Sequence, residues 1–97
     1  MAQTIETFKQ SIQENKPPET LSELQTGLWH AAKGNWNEAH NIAQAHEGEN
    51  EFDHLHAYLH RVEGDEWNAN YWYRRAGTVM PDKSLEEELQ SFLTLYL

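Results

Sequence analysis

HLHAYLHRVEGDEWNANYWYRRAG, residues 54–77, is the stretch of the chain that decides its fold. Apolar residues recur at helical spacing on both sides of Gly64, and Asp65 is a residue type that commonly caps a helix. Glycine ends a helix readily because it adopts positive φ, and a cap directly after it starts the next helix. The stretch therefore predicts a helical hairpin, with one helix over about 51–63 and the next over about 65–76.

Similar turn signals divide the whole chain into segments of helical length, and no segment alternates apolar and polar residues for long enough to predict a strand. The remaining helices are expected over about 3–14, 21–33, 36–46 and 85–96. Capping-box patterns lie at Thr20–Glu23 and Ser84–Glu87, and Asn50 is expected to cap the fourth helix. We predict an all-α fold of about six helices, in antiparallel hairpins packed as a small bundle and forming one domain over 1–97.

Two features lie outside these apolar stripes. Trp29 lies off the apolar stripe of the second helix, which includes Leu24 and Leu28, so it should point away from that stripe. The three glutamates at 86–88 should form a solvated first turn of the sixth helix, where acidic residues also complement the helix dipole.

The composition disfavours several functional classes. Sixteen acidic residues against seven basic ones give a net charge of −9, and nucleic acids or anionic membranes both require basic patches. The absence of cysteine excludes disulfides, thiolate metal sites and cysteine nucleophiles. The N-terminal residues lack the features of a secretion signal, and no run of about 18 apolar residues predicts a membrane span. We expect a cytoplasmic protein that binds neither nucleic acid nor membrane.

The chain also matches itself at an offset of 30 residues, where LWHAAKGNWNEAH (28–40) aligns with YLHRVEGDEWNAN (58–70). The identical pairs are His30 with His60, Gly34 with Gly64, and Ala39 with Ala69. A tight helix pair needs glycine at its turn and a small residue where the two backbones approach. GNWNEA and GDEWNANYWYRRA resemble the turn and following helix of tetratricopeptide-type repeats, over roughly 21–77. This resemblance implies hairpins that bury their faces against neighbouring hairpins.

A second resemblance covers HAYLHRVEGDEWNANYWYRRAG, residues 56–77, with GNWNEAHNIAQ upstream of it. This string is similar to the signature HAYLHRxEGDxxNAxYWYRRAG of a family of small bacterial proteins. The resemblance implies that these residues form one structural unit. It implies no substrate, cofactor or catalytic residue.

Histidine is frequent, with six residues among 97. One strip of the fourth helix carries three polar side chains at i, i+4 and i+7, namely His56, His60 and Glu63. His40 of the third helix could complete a site for zinc or nickel. The spacing lacks the glutamate directly after the first histidine that metalloproteases use as a base. We therefore favour imidazoles that bridge neighbouring helices by hydrogen bonds, with a metal site as the alternative.

Asn68, Tyr71 and Arg75 line one flank of the fifth helix at i, i+3 and i+7. Together they could grip a carboxylate or a phosphate, because arginine binds both through two parallel hydrogen bonds. The interpretation we favour is structural. This arginine or Arg61 would pair with an acidic residue of the 63–65 turn and stack on a neighbouring aromatic ring.

The sequence contains no Gly-x-Ser-x-Gly turn, phosphate-binding loop or dinucleotide glycine pattern, so we do not expect an enzyme. We predict a helical-repeat interaction module that binds a peptide or protein without a cofactor, in a groove bordered by His56, His60, Tyr71 and Arg75. The alternative is a protein that binds a small anion or a metal through His56, His60, Glu63 and Arg75, with hydrolysis as one option.

The sixth helix carries more apolar residues than one neighbouring helix can cover. Its main stripe is Leu85, Leu89, Phe92 and Tyr96, and the stripe is widened by Leu93, Leu95 and Leu97. A second copy of the chain could cover the remainder, because closed two-fold symmetry is the commonest arrangement of soluble oligomers. We therefore expect a homodimer formed through the C-terminal helix.

Overall fold

A computed structural model describes residues 5–97, and every regular element in that range is an α-helix. The helices are α1 (Ile5–Ser11), α2 (Glu23–Lys33), α3 (Trp36–Ala45), α4 (Asn50–Val62), α5 (Glu66–Arg75) and α6 (Leu85–Tyr96). Successive helices from α2 to α5 pack as hairpins, and α4 also packs against α2 and α6. The predicted all-α class, with six helices in adjacent hairpins, is confirmed. None of the described helices is long and apolar enough to cross a membrane.

The first helix is shorter than predicted, because it ends at Ser11, and the predicted residues 3 and 4 lie outside the described range. The Ser11 hydroxyl donates to the backbone carbonyl three residues before it, at 2.6 Å. Lys33 Nζ donates to the carbonyl oxygens of Ile12 and Glu14, at 2.5 and 2.6 Å. Two side chains therefore donate hydrogen bonds to the carbonyl groups at the end of α1, and one of these side chains, Lys33, belongs to α2.

The predicted capping box of α2 at Thr20–Glu23 is wrong by two residues. Ser22 Oγ accepts a hydrogen bond from the Gln25 backbone N–H at 3.1 Å, and Gln25 Oε1 accepts one from the Ser22 N–H at 3.0 Å. A capping box is present, as expected, but it begins two residues later in the chain. Gln25 Nε2 also donates to the Tyr96 carbonyl at 2.9 Å, so a contact with α6 favours this register.

Among the other predicted caps, Asn50 is wrong, because it is the first residue of α4 and caps nothing. The side chain of Asp53, in the first turn of α4, accepts a hydrogen bond from the N–H of Gly48 in the preceding loop, with a distance of 3.0 Å between N and Oδ1. Asp65 is confirmed as the cap of α5, since its side chain accepts from the Asn68 N–H. The capping box at Ser84–Glu87 is also confirmed.

The repeat seen in the sequence appears as two turns of the same geometry, after α2 and after α4. Gly34 and Gly64 have φ of 90° and 86°. In each turn the glycine N–H donates to the carbonyl three residues before it, and the next N–H donates to the carbonyl five residues before itself. No atom outside the immediate chain neighbours lies within 4 Å of a Cβ built on either glycine, so the backbone angle alone requires glycine there.

The core consists of two clusters of buried side chains. The larger draws on α1, α2, α3, α4 and α6, and the smaller comprises Ala57, Ala69, Trp72 and Tyr73. Trp29 lies off the stripe of α2, yet it belongs to the larger cluster and has no exposed area. Its Nε1 donates to Ser11 Oγ at 3.1 Å. This bond places the end of α1 against the indole, a contact that a helical stripe alone does not indicate.

The helix α6 exposes fewer apolar side chains than its sequence suggests. Leu93 is 2% exposed and packs within the chain, whereas Leu95 is 66% exposed. Part of the surface that was expected to need a second copy is therefore already covered. A homodimer through α6 stays a prediction.

Glu88 is a buried carboxylate at 2% exposure, so the expectation of a solvated run at 86–88 is wrong at its last residue. Its Oε1 accepts from Arg61 Nη1 of α4 at 2.8 Å, and its Oε2 accepts from the Tyr73 hydroxyl of α5. His54 Nε2 of α4 lies 3.6 Å from Oε2. One carboxylate on α6 thus joins α4, α5 and α6.

The same contacts determine the pKa of Glu88. Burial raises the pKa of this carboxyl, but hydrogen bonds from His54, Tyr73 and Arg61 outweigh burial and hold the pKa below its ordinary value. A carboxylate with a lowered pKa in the folded state contributes stability above the ordinary pKa of about 4.3. That contribution is lost as the pH falls through the folded-state pKa.

We expect Gly64→Val to lower the free energy of unfolding by about 2 kcal/mol, because a residue with a Cβ is strained in the left-handed region. Gly64→Asn is the control and should cost less, since asparagine tolerates this region better. Urea denaturation measures both variants. A Val variant as stable as the wild type would contradict the turn geometry.

Glu88→Gln should lower the free energy of unfolding at pH 7 by about 2 kcal/mol, because the partly buried guanidinium of Arg61 would lose its counter-charge. The difference from wild type should narrow below about pH 4, since the stability that Glu88 contributes is lost in acid. Urea titrations at pH 7 and at lower pH test this. The exposed control Glu86→Gln should stay within about 0.5 kcal/mol of wild type. A difference that is the same at both pH values would show that the charge of Glu88 does not stabilise the fold.

Candidate functional site

Three histidines meet where α3 packs against α4. His56 and His60 are one helical turn apart on α4, and His40 faces them from α3. One nitrogen from each ring can be chosen so that all three lie within 4.8 Å of one another. We call these residues the histidine trio. The structure thus brings together the three histidines that the sequence analysis named as the metal alternative.

Ring packing holds the trio in place. The His56 and His60 rings stack with centroids 4.9 Å apart, and the His40 ring meets the His56 ring edge-on at 4.6 Å. An indole covers each side: Trp36 stacks on His40 at 4.6 Å, and Trp72 stacks on His56 at 3.9 Å. Trp36 is further fixed because its Nε1 donates to a backbone carbonyl of α4. The three imidazoles are therefore positioned by α3, α4 and α5 together.

The expected hydrogen-bonded bridge between helices does not occur within the trio. Among the described residues, no hydrogen bond joins two of its rings, and His56 Nδ1 is buried without any partner. His56 is 4% exposed, so bulk solvent does not reach that nitrogen. Leaving such a nitrogen unpaired costs free energy, about 1–3 kcal/mol for a typical buried polar group. Bridging is found elsewhere, at His46, whose ring nitrogens contact Glu23 of α2 and Glu49.

Two members of the trio are held in the neutral form. Burial, with smaller contributions from His40, His60 and Arg75, lowers the pKa of His56 to about 3. Burial and the neighbouring His60 also lower the pKa of His40, although Glu63 acts in the opposite direction. Neutral imidazole is the form that binds a metal ion, so no proton has to be removed from these rings at neutral pH.

Glu63 orients the third ring. His60 Nδ1 lies 2.6 Å from Glu63 Oε2, and a neutral His60 that donates to this carboxylate carries its proton on Nδ1. Its Nε2 then keeps a free lone pair. A carboxylate behind a histidine ligand is the usual arrangement in metal sites, because it fixes the tautomer and raises the basicity of the ligand.

A second group of potential ligands, formed by His60, Glu63 and Asp65, shares one histidine with the trio. Asp65 has another role here. Its Oδ1 accepts from the Asn68 N–H at 3.2 Å, and its Oδ2 accepts from Asn68 Nδ2 at 2.6 Å. Because helix capping already occupies both oxygens, the histidine trio is the stronger candidate.

The flank proposed to bind anions is only partly assembled. Arg75 Nη1 donates to the Tyr71 hydroxyl at 3.2 Å, but the Asn68 side-chain amide is turned towards Asp65. The guanidinium carbon lies 5.0 Å from the centroid of Trp72, the indole that stacks on His56. Arg75 therefore lies next to the trio rather than beside Asn68.

The predicted pairing of an arginine with the 63–65 turn is wrong. Arg61 pairs with Glu88, and the nearest acidic oxygen recorded for Arg75 is Glu47 Oε1, at 3.9 Å. The predicted stacking of arginine on an aromatic ring is confirmed at Arg75, which lies over both Tyr71 and Trp72.

The two tryptophans that cover the site were not among the predicted site residues. Trp36 precedes His40 by four residues, and that spacing could have identified the pair as neighbours on α3. Trp72 belongs to the smaller core cluster, but no local pattern indicates that its ring covers His56.

Neither a protein-family model, nor a curated protein, nor a solved structure matches this chain. The tetratricopeptide-like and small-bacterial-family resemblances therefore remain proposals, and the site has to be interpreted from its own geometry.

Proposed function

We propose that this chain binds a divalent transition-metal ion of the zinc, cobalt or nickel type through His40, His56 and His60. The observation that carries the proposal is the trio itself, in which one nitrogen from each imidazole lies within 4.8 Å of the others. The buried ring of His56 also has an Nδ1 without a hydrogen-bond partner, so no protein group satisfies this nitrogen. This is the alternative of the sequence analysis rather than its first choice.

The donor set supports this type of ion. Imidazole is a ligand of intermediate softness that suits zinc, nickel and copper, and the chain has no cysteine to add a thiolate. In a tetrahedral zinc site with ligand bonds of about 2.0–2.1 Å, the donor atoms lie about 3.3 Å apart. The trio would therefore contract on binding, and small changes in side-chain torsions of His40 on α3 and His60 on α4 would bring the nitrogens closer.

Three protein ligands leave one position of a tetrahedral ion for water or another small ligand. A zinc-bound water ionises near pH 7, so such a centre is suited to hydrolysis as well as to anion binding. The hydrogen bond between Glu63 and His60 would hold the ring as the coordination changes. We propose metal binding as the function and hydrolysis as the chemistry that the open position favours.

Zn²⁺ should bind with a stoichiometry of one ion per chain and should stabilise the fold. At a free concentration one hundred times Kd the gain is about 2.7 kcal/mol, which corresponds to a rise in Tm of about 13 °C for a domain of this size. Isothermal titration calorimetry and thermal denaturation measure the two effects on protein first stripped with chelator.

His40→Gln is the decisive variant, because this ring is only partly buried and α3 supplies no other member of the trio. It should remain folded and should lose both the binding and the rise in Tm. His30→Gln is the matched control, because His30 lies outside the trio, and it should bind as the wild type does. Equal Zn²⁺ affinity in the wild type and His40→Gln would overturn the assignment, as would a wild-type protein that does not bind.

A second candidate function is the binding of a protein or peptide partner, and the outer face of α5 favours it. Trp67 is 76% exposed, and its ring stacks on Tyr71 at 6.4 Å, beside the exposed Arg74. Tryptophan, tyrosine and arginine are the residues most often found at the energetic centres of protein interfaces. The neighbouring arginines favour an acidic partner segment.

Trp67→Ala should weaken the binding of an acidic helical peptide at least tenfold, since a central tryptophan commonly contributes 2 kcal/mol or more. Fluorescence anisotropy with labelled peptides rich in glutamate and leucine measures the affinity. Val79→Ala is the control, because Val79 is similarly exposed, at 74%, but lies outside α5. Equal peptide affinity in both variants, or the absence of binding to the wild type, would remove this candidate.

A further inference from the structure

A metal ion in the histidine trio would keep most of its positive charge. Three neutral imidazoles contribute no negative charge to the ion, and the charged side chains that act on the trio are Glu63, Asp65 and Arg75. Both carboxylates already accept hydrogen bonds, Glu63 from His60 and Asp65 from Asn68. An ion beside His56, which is 4% exposed, would be poorly solvated, whereas the side chains of Glu63 and Arg75 are 41% and 40% exposed, so water screens their charges. The fourth ligand of such an ion is therefore favoured to be an anion rather than neutral water.

Arg75 shares a contact with the trio, through the ring of Trp72. Its guanidinium and the His56 ring both lie against Trp72, at 5.0 and 3.9 Å from the indole centroid. The guanidinium makes one hydrogen bond, to the neutral Tyr71 hydroxyl. The only acidic contact recorded for it in the described chain is Glu47 at 3.9 Å, the outer limit of an ion pair. Several of its N–H donors are therefore free, and the side chain is 40% exposed, so solvent reaches it.

We propose that the metal centre takes a small oxyanion, a carboxylate or a phosphate group, as its fourth ligand, and that Arg75 binds the outer oxygens of that anion. This inference rests on the proposed metal site. Carboxylates and phosphates offer one oxygen to the ion while others accept the parallel N–H groups of a guanidinium. A chloride ion has a single acceptor centre, so when bound to the metal it offers no further oxygens to the two parallel N–H groups. Arg75 is therefore the residue that selects oxyanions over other anionic ligands.

Cobalt(II) provides the test, because the visible absorption of a protein-bound cobalt ion changes when a ligand enters its coordination sphere. The Co²⁺-loaded protein is titrated in a buffer that does not coordinate metals, separately with acetate, inorganic phosphate and chloride. We expect saturable spectral changes with acetate or phosphate, and the comparison of those two shows which oxyanion the site prefers. Chloride should bind at least tenfold more weakly than the better oxyanion.

Arg75→Gln should weaken oxyanion binding about tenfold without weakening Co²⁺ binding, since Arg75 is not a ligand of the ion and the variant removes a positive charge near the trio. Arg74→Gln is the matched control, because it removes the same charge from the adjacent position of α5, and it should bind oxyanions as the wild type does. Equal loss in the two variants would indicate a general charge effect and overturn the role of Arg75. A cobalt spectrum that no oxyanion changes would overturn the inference and leave the metal site intact. Failure to bind Co²⁺ at all would overturn the metal site, and the oxyanion ligand with it.

Discussion

The arrangement of the last three helices depends on the buried carboxylate of Glu88. It accepts hydrogen bonds from Arg61 of α4 and Tyr73 of α5, so one group on α6 sets the positions of both. A buried charge of this kind is not a strong net source of stability, because its desolvation offsets much of the attraction. It does restrict the geometry, since a displaced helix would leave an ion without partners. Tyr73 is next to Trp72, so the position of this pair also determines where the indole lies over His56.

The central helix α4 therefore carries two polar clusters with opposite character. On one side, Arg61 and His54 approach Glu88, and every charge has a partner. On the other, His56 and His60 meet His40 without a hydrogen bond between them. The first cluster is complete within the chain and the second is not. A cluster that remains incomplete at a cost in stability is where a bound ligand contributes most, and this contrast separates the structural polar network from the candidate site.

The sequence predicted what local chemistry determines. Gly64 and Asp65 mark the hairpin turn correctly, because a positive φ and a capping carboxylate act within a few residues. The sequence-based predictions were wrong where a contact between residues far apart in the chain determines the structure. Two overlapping capping patterns exist at the start of α2, and the hydrogen bond of Gln25 to α6 favours the later one. Glu88 looks like any other acid in the first turn of a helix, and its burial depends on Arg61, 27 residues away.

The candidate site shows the same division. The spacing of His56 and His60 predicted that they lie on the same face of α4, and His40 could be proposed from its place on α3. Whether their nitrogens form hydrogen bonds between helices or keep free lone pairs depends on how the helices pack. Packing brings Trp36 and Trp72 against the rings and buries His56, whereas His40 and His60 stay partly exposed. Burial also lowers the pKa of His56, so a proton would not compete with a metal ion for its nitrogen near neutral pH. The loss of solvation that leaves His56 Nδ1 without a partner is thus the same property that would suit this residue to the proposed metal ion.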